Sequence, residues 1–215
     1  MDAALWPLEE LVLTTPRLEL RPDDDAGLRE LVDLARLGVH PPEEMPFVVP
    51  WTDADPADLG RSSVQFHWQQ RATLSPQDWT VQFLVRADGR VIGEQSLAAV
   101  DFALTREVVT GSWVGMRLQG QGYGTEMRAA VLAFAFEHLG ANRARSAAFV
   151  DNPASLAVSA KLGYRRDGSQ WLVRRGRCVE QVRLVLGPEE FAGHRPDWRL
   201  DVAGAQRCRA LLGAD

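Results

Sequence analysis

The feature that most narrows the fold is a glycine-rich turn set between a strand pattern and a helix pattern. Trp113-Val114-Gly115-Met116-Arg117-Leu118 has strand character and runs directly into Gln119-Gly120-Gln121-Gly122-Tyr123-Gly124. From Thr125 to Leu139, apolar Met127, Ala130, Val131 and Phe134 mark one helical face, and Gly140 suits the C-cap. Glycine admits unusual φ and lets backbone approach a ligand closely. The first amides of a helix lack internal partners, and the helix dipole adds positive potential in front of them. Together these predict a cradle built mainly from backbone, with a pyrophosphate as its natural occupant.

Two phosphate-binding alternatives fail on residues. A Walker loop needs a Lys after its last Gly, and Thr125 follows Gly124. A dinucleotide fingerprint counted from Gly120 and Gly122 would need its third Gly at position 125, which is Thr125. A plain tight turn with glycine caps stays open on the residues alone.

The rest of the chain supplies the setting. Leu13 to Pro22 reads as one strand, and a helix with Leu28, Leu31, Val32 and Ala35 follows Asp23 to Asp25. Gly38 to Pro56 is a Pro-rich loop, and Ala57 to Leu74 reads as a helix with Val64 and Trp68 four apart. Trp79–Arg86, Val91–Val100 and Val108–Leu118 are strands, with Asp88-Gly89 as a hairpin turn. After the long helix come a strand at Ala144–Val150, a short helix at Asn152–Leu162, and strands at Arg165–Leu172 and Val179–Leu186. This order predicts an α/β (α+β mixed) fold: one domain, a mostly antiparallel mixed sheet and flanking helices. The domain is expected over 11–188, with a tail over 189–215 and a helical pattern from Val202 to Leu212.

Composition excludes several classes. The 215 residues carry a net charge of −5 and a pI near 5.4, which gives no support to a nucleic-acid partner. Lys161 is the only lysine, read first as a bias of composition. Cys178 and Cys208 are too few for a disulfide scaffold and fit no metal motif, so two free thiols and no metal are expected. Met1 to Glu10 shows no leader, and no apolar run reaches the ~20 residues of a membrane span. The expected location is the cytoplasm, with no membrane contact.

Three segments carry a resemblance. Gln119-x-x-Gly122-x-Gly124 is similar to the Gln/Arg-x-x-Gly-x-Gly/Ala signature of the GCN5-related (GNAT) acetyltransferases. Asn152-Pro153-Ala154-Ser155 followed by Lys161-Leu162-Gly163-Tyr164 resembles the family's Asn-x-x-Ser…Lys-Leu-Gly-Phe/Tyr stretch. The opening from Leu13 to Pro22 resembles the ribosomal-protein N-acetyltransferase branch.

The resemblance implies a GNAT fold and transfer of an acetyl or succinyl group from acetyl-CoA or succinyl-CoA. The acceptor would be an amine: a protein N-terminus, a lysine side chain or a small molecule. A homodimer is compatible with it. Met116, Arg117 and Leu118 would pair with the pantetheine arm. Gln119, Gln121, Gly122, Tyr123, Gly124 and Thr125 would hold the pyrophosphate. Asn152 would bind the pantetheine side, and Ser155 would lie near the thiol; for both, helix capping is the other reading. Many members protonate the leaving thiolate from a Tyr seven residues after the Asn, and that position here is Ser159. Ser155 would take over, or only hydrogen-bond the thiolate. Glu94 is the candidate base, against a reading as an ordinary surface or paired carboxylate; Asp101 and Glu107 are weaker candidates. His67 and His138 read as packing or surface residues. Glu43, Glu44, Asp53, Asp55 and Asp58 would suit a cationic acceptor, or simply form a solvated acidic loop. The missing Tyr keeps a second class in view: a non-catalytic CoA-binding or sensing module.

Overall fold

The computed structural model describes residues 5–215; the first four, part of the stretch read as carrying no leader, lie outside it. The expected first strand is two strands. Pro16 removes a ladder donor, Thr15 and Leu18 close a turn, and β1 (Val12–Thr14) pairs back on β2 (Glu19–Pro22) with Leu13 opposite Leu20. Helix α1 (Asp25–Arg36) is capped by Asp24, whose carboxylate accepts from the Gly27 amide at 2.7 Å. Helix α2 (Pro56–Thr73) has Asp55 as cap and a proline in its first turn. Its buried positions are Leu59 and His67, while Trp68 is half exposed, so the face inferred from Val64 and Trp68 is rotated.

Strands β3 (Asp78–Ala87) and β4 (Arg90–Val100) form the central hairpin. Its two turn residues, Asp88 and Gly89, have φ of 47° and 76°, the double positive φ of a tight hairpin turn. A single turn of helix, α3 (Phe102–Thr105), leads to β5 (Glu107–Val114). Helix α4 (Tyr123–Ala133) continues as a π-helical turn over Phe134–Leu139 and ends at Gly140 with φ 75°. It carries the chain to β6 (Arg143–Phe149), which pairs parallel to β5, as a crossover requires. Helix α5 (Pro153–Lys161) and the hairpin of β7 (Arg165–Arg174) with β8 (Arg177–Leu186) follow.

Among the described residues, nine strands form one sheet in the order β7-β8-β6-β5-β4-β3-β2-β1-β9, and β5–β6 is its parallel pair. Alternation along β3 splits the core. Val81, Phe83 and Val85 face the large cluster that holds α4, whereas Leu84 joins Leu28, Leu31 and Val91 under α1 and α2. The tail adds α6 (Pro188–Ala192), β9 (Asp201–Ala203) on β1, and α7 (Ala205–Cys208). The pattern read as helical from Val202 therefore begins as a strand. Cys208 and Leu212 are fully buried in the main cluster. Cys178 is exposed, and neither thiol is bridged. Among the described residues, no helix is long and apolar enough to cross a membrane.

Candidate active site

Strands β5 and β6 are joined only from Glu107 to Val109, against Arg143 to Arg145. Beyond that point β6 stays with β8 as far as Phe149, while β5 stays with β4 as far as Val114. The two strands therefore part, and a cleft of about 330 Å³ opens between them, the glycine turn and α5.

The turn is rigidly seated. Gln119 donates from its side-chain amide to the carbonyls of Val39 and Val114, both at 2.8 Å, so its side chain builds the turn. Gly120 and Gly122 have φ of 75° and 84°, which disfavours any side chain there. No side chain caps α4; the Thr125 and Glu126 amides donate to the Gly122 carbonyl at 3.1 Å, and those of Tyr123 and Gly124, both on the cleft lining, are left for a ligand. Arg17 braces the turn from outside: its guanidinium binds Glu126 (2.7 Å) and the Gln121 carbonyl (3.0 Å) and lies 4.8 Å over the Tyr123 ring.

Across the cleft, Asn152 caps α5 by accepting from the Ser155 amide at 3.0 Å, as the capping reading expected. Ser155 is half-buried on the cleft lining, and its carbonyl accepts from the Ser159 hydroxyl at 3.0 Å.

A second cavity, about 550 Å³, lies on the other face of the sheet under α1 and α2. Its walls are largely apolar and aromatic, including Leu28, Leu31, Phe47, Trp51, Phe66 and Trp113. Phe47, Trp51 and Trp113 form a chain of rings with centroids 5.3 and 5.6 Å apart. Glu94 supplies the carboxylate on this lining and accepts from Trp113 Nε1 at 3.2 Å. Burial raises the Glu94 pKa above the ordinary carboxylate range, partly offset by nearby His67. His67 stands 3.6 Å from Glu94 through Nε2 and 3.1 Å from Asp23 through Nδ1. Gly93, beside Glu94, is required because a Cβ there would lie 2.2 Å from the Trp113 carbonyl. Phe47, Ser112 and Trp113 line both cavities, so the two meet at β5.

A family model described as "Acetyltransferase (GNAT) domain" matches residues 17–165. The chain belongs to the GNAT acetyltransferases. The acetyltransferase is 30% identical over 135 residues to "Putative ribosomal N-acetyltransferase YdaF" of Bacillus subtilis (strain 168), covering 58% of this chain and 73% of that one. Its fold matches Mycobacterium smegmatis RimJ in complex with CoA-disulfide, with a TM-score of 0.69 at 21% identity over 95% of each chain. It also matches RimL, a ribosomal L7/L12 α-N-protein acetyltransferase in complex with coenzyme A. There the TM-score is 0.65 at 17% identity, over 83% of this chain and 98% of that one. The chain is thus an acyl-CoA-dependent N-acyltransferase with the GNAT fold.

The acetyltransferase brings most of the expected residues together, with differences. Leu118, Gln119, Gly122, Tyr123, Gly124, Thr125, Asn152 and Ser155 line the cleft. Met116 and Arg117 do not: β5 ends at Val114, and Met116–Leu118 form an exposed-to-half-buried 3-10 turn. Trp113 and Val114 hold the strand position on the lining instead. Gln121 is exposed and off the cleft lining, with its carbonyl accepting from Arg17. Of the acidic residues expected here, Asp53 is engaged with Arg175, Asp58 with Arg61 and Asp55 as the α2 cap, while Glu43 is exposed and Glu44 lines the cleft. Asp101 and Glu107 lie at the far ends of β4 and β5. His67, read as a packing or surface residue, is buried beside Glu94, and Asp23, which precedes the α1 cap, stands against its other nitrogen. A histidine 44 residues from its partner leaves no spacing signal.

Proposed function

We propose that the protein transfers an acetyl group from acetyl-CoA to the primary amine of a protein or peptide. The observation that carries this is the meeting of the two cavities at Ser112 and Trp113, with Glu94 held by Trp113 on the acceptor side. Acetyl-CoA would enter the cleft with its pyrophosphate on the amides of the Gly122–Thr125 turn and its pantetheine along Trp113 and Val114. The acceptor would enter under α1 and α2. The amine nitrogen attacks the thioester carbon, a C–N bond forms, and the C–S bond breaks with its electron pair on sulfur. Glu94 takes the amine proton, directly or through one water. Its raised pKa brings it closer to the working range of a base near neutrality. Ser155, on the same cleft lining, would hydrogen-bond the leaving sulfur.

The acceptor cavity also carries a reading of substrate. Its apolar walls and one carboxylate suit a single amine beside an apolar body; a polyamine would bury further charges without partners. The relatives named as ribosomal-protein acetyltransferases support a protein amine. The test is thiol release with acetyl-CoA against peptides of varied first residue, free lysine derivatives and spermidine. Faster turnover on peptides with an apolar first residue is expected. Spermidine as the best acceptor would overturn the reading, and CoA binding without turnover on any amine would mark a binding module.

A further inference from the structure

Helix α4 buries eight consecutive residues, Glu126 to Ala133, and one of them is Arg128. Its side chain crosses the cleft between β5 and α5. One terminal nitrogen donates to the Ser159 hydroxyl at 3.0 Å and the other to the Ser112 hydroxyl at 2.9 Å. Its Nε is buried with no partner. Both partners are neutral. Glu126, two residues away, is taken by Arg17 and Thr15, while Asp23 and Glu94 are engaged with His67 under α1 and α2. A buried cation facing only hydroxyls is strongly unfavourable unless an anion arrives. Burial pulls Arg128 below the usual guanidinium range.

The position says which anion. Arg128 lines the CoA cleft, and its partner Ser112 lines both cavities, so the guanidinium lies where the thioester would face the amine. Its other partner, Ser159, occupies the place seven residues after Asn152 where a Tyr acid would stand. We propose that Arg128 receives the departing CoA thiolate, stabilising the sulfur anion by charge in place of a proton donor. This rests on the acyltransferase reading above. As the C–S bond breaks, its electron pair goes to sulfur and the amine proton to Glu94. The sulfur leaves as an anion paired with the guanidinium, and solvent protonates it after release. Preorganised charge aimed at a developing anion acts without reorganisation at the moment of reaction.

The experiment titrates the thiol of CoA bound to the full-length protein, followed by the ultraviolet absorbance of the thiolate, with affinity read first by calorimetry. In the wild type the bound thiol is expected to titrate about one pH unit or more below free CoA, a tenfold gain in thiolate. In Arg128→Met the shift should vanish, and in Arg128→Lys part of it should remain. Acetyl-CoA turnover should fall in parallel with the shift. A wild-type bound thiol that titrates with free CoA overturns the inference, whether or not the variants fold. So does a preference of the wild type for succinyl-CoA over acetyl-CoA that Arg128→Met reverses, because the cation would then read an acyl carboxylate. Failure to bind CoA at all would sink the acyltransferase reading and this inference with it.

Discussion

At the scale of residues, the site joins two carboxylate environments through one imidazole. Asp23, His67 and Glu94 come from the end of β2, from α2 and from β4, and none is predicted by spacing from another. Glu94 was legible as a carboxylate on a central strand; its burial was not, because the helices that cover it are set by tertiary packing. Arg128 was less legible still, since an arginine in a helical pattern defaults to the surface. Glu94 gives two predictions. Glu94→Gln keeps the size and removes the base, so turnover should fall by roughly a hundredfold or more with acetyl-CoA affinity unchanged. The acid limb of its pH–rate profile should flatten, and a profile that overlays the wild type would remove Glu94 from the chemistry. The same variant reports on stability. The folded-state pKa of Glu94 lies above the unfolded one, so the folded protein holds this proton more tightly. That contribution is present at low pH and is lost as pH rises from ~4.3 through the folded pKa. Glu94→Gln should therefore melt above the wild type at pH 7, with the gap closing near pH 4. Equal melting temperatures at pH 7 would show the carboxylate to be fully compensated. Ser155→Ala should lower turnover by roughly tenfold or more while acetyl-CoA binds as before. Full turnover would leave Ser155 as a lining residue only.

At the scale of elements, the strand–turn–helix unit was the most legible part of the chain, because glycine, periodicity and cap chemistry are local. The hairpin at Asp88-Gly89 was legible for the same reason. Boundaries decided by distant partners were not. The reading of a strand through Leu118 missed the 3-10 turn at Met116–Leu118. Gln119 anchors that segment to Val39 and Val114, a contact 80 residues away in one arm. The strand β9 in the tail depends likewise on a pairing between the two ends of the chain, whereas the division of the first strand into β1 and β2 is a local turn at Thr15–Leu18 whose Pro16 signal went unread. The turn yields a direct test. Gly122 sits at φ 84° and opens α4 onto the cleft. Gly122→Val forces a β-branched residue into that conformation and puts its Cβ 3.4 Å from the Arg17 guanidinium that braces the turn, so the backbone of the cradle should shift. CoA affinity measured by calorimetry should fall at least about tenfold in a variant whose circular dichroism is unchanged, and an undiminished affinity would move the pyrophosphate elsewhere.

At the scale of the whole molecule, the loop from Gly38 to Pro56 is a wall shared by both cavities, since Phe47 lines each. Its chemistry was read from the sequence as acidic; it presents aromatic Phe47 and Trp51 to the acceptor cavity, while Glu44 lines the CoA cleft. Its anchors come from the far edge of the sheet. Arg174 donates to the Met45 carbonyl at 2.9 Å and to both oxygens of Asp151 at 2.8 and 2.6 Å. Arg175 donates to the Pro42 and Glu44 carbonyls at 3.0 and 3.1 Å and pairs with Asp53. The hydrogen bond from Arg175 holds the Asp53 carboxyl below its ordinary range. These fastenings are ionic and partly open to water, whereas the cradle for CoA is fixed by backbone geometry. Dissolved electrolyte weakens the first kind of tie, since charges facing solvent are screened over roughly 8–10 Å at ordinary ionic strength. Salt concentration thus becomes a dial on a wall that both substrates share: KM for the amine and for acetyl-CoA should climb with added sodium chloride, and less steeply in Arg175→Gln, which keeps only the Arg174 tie.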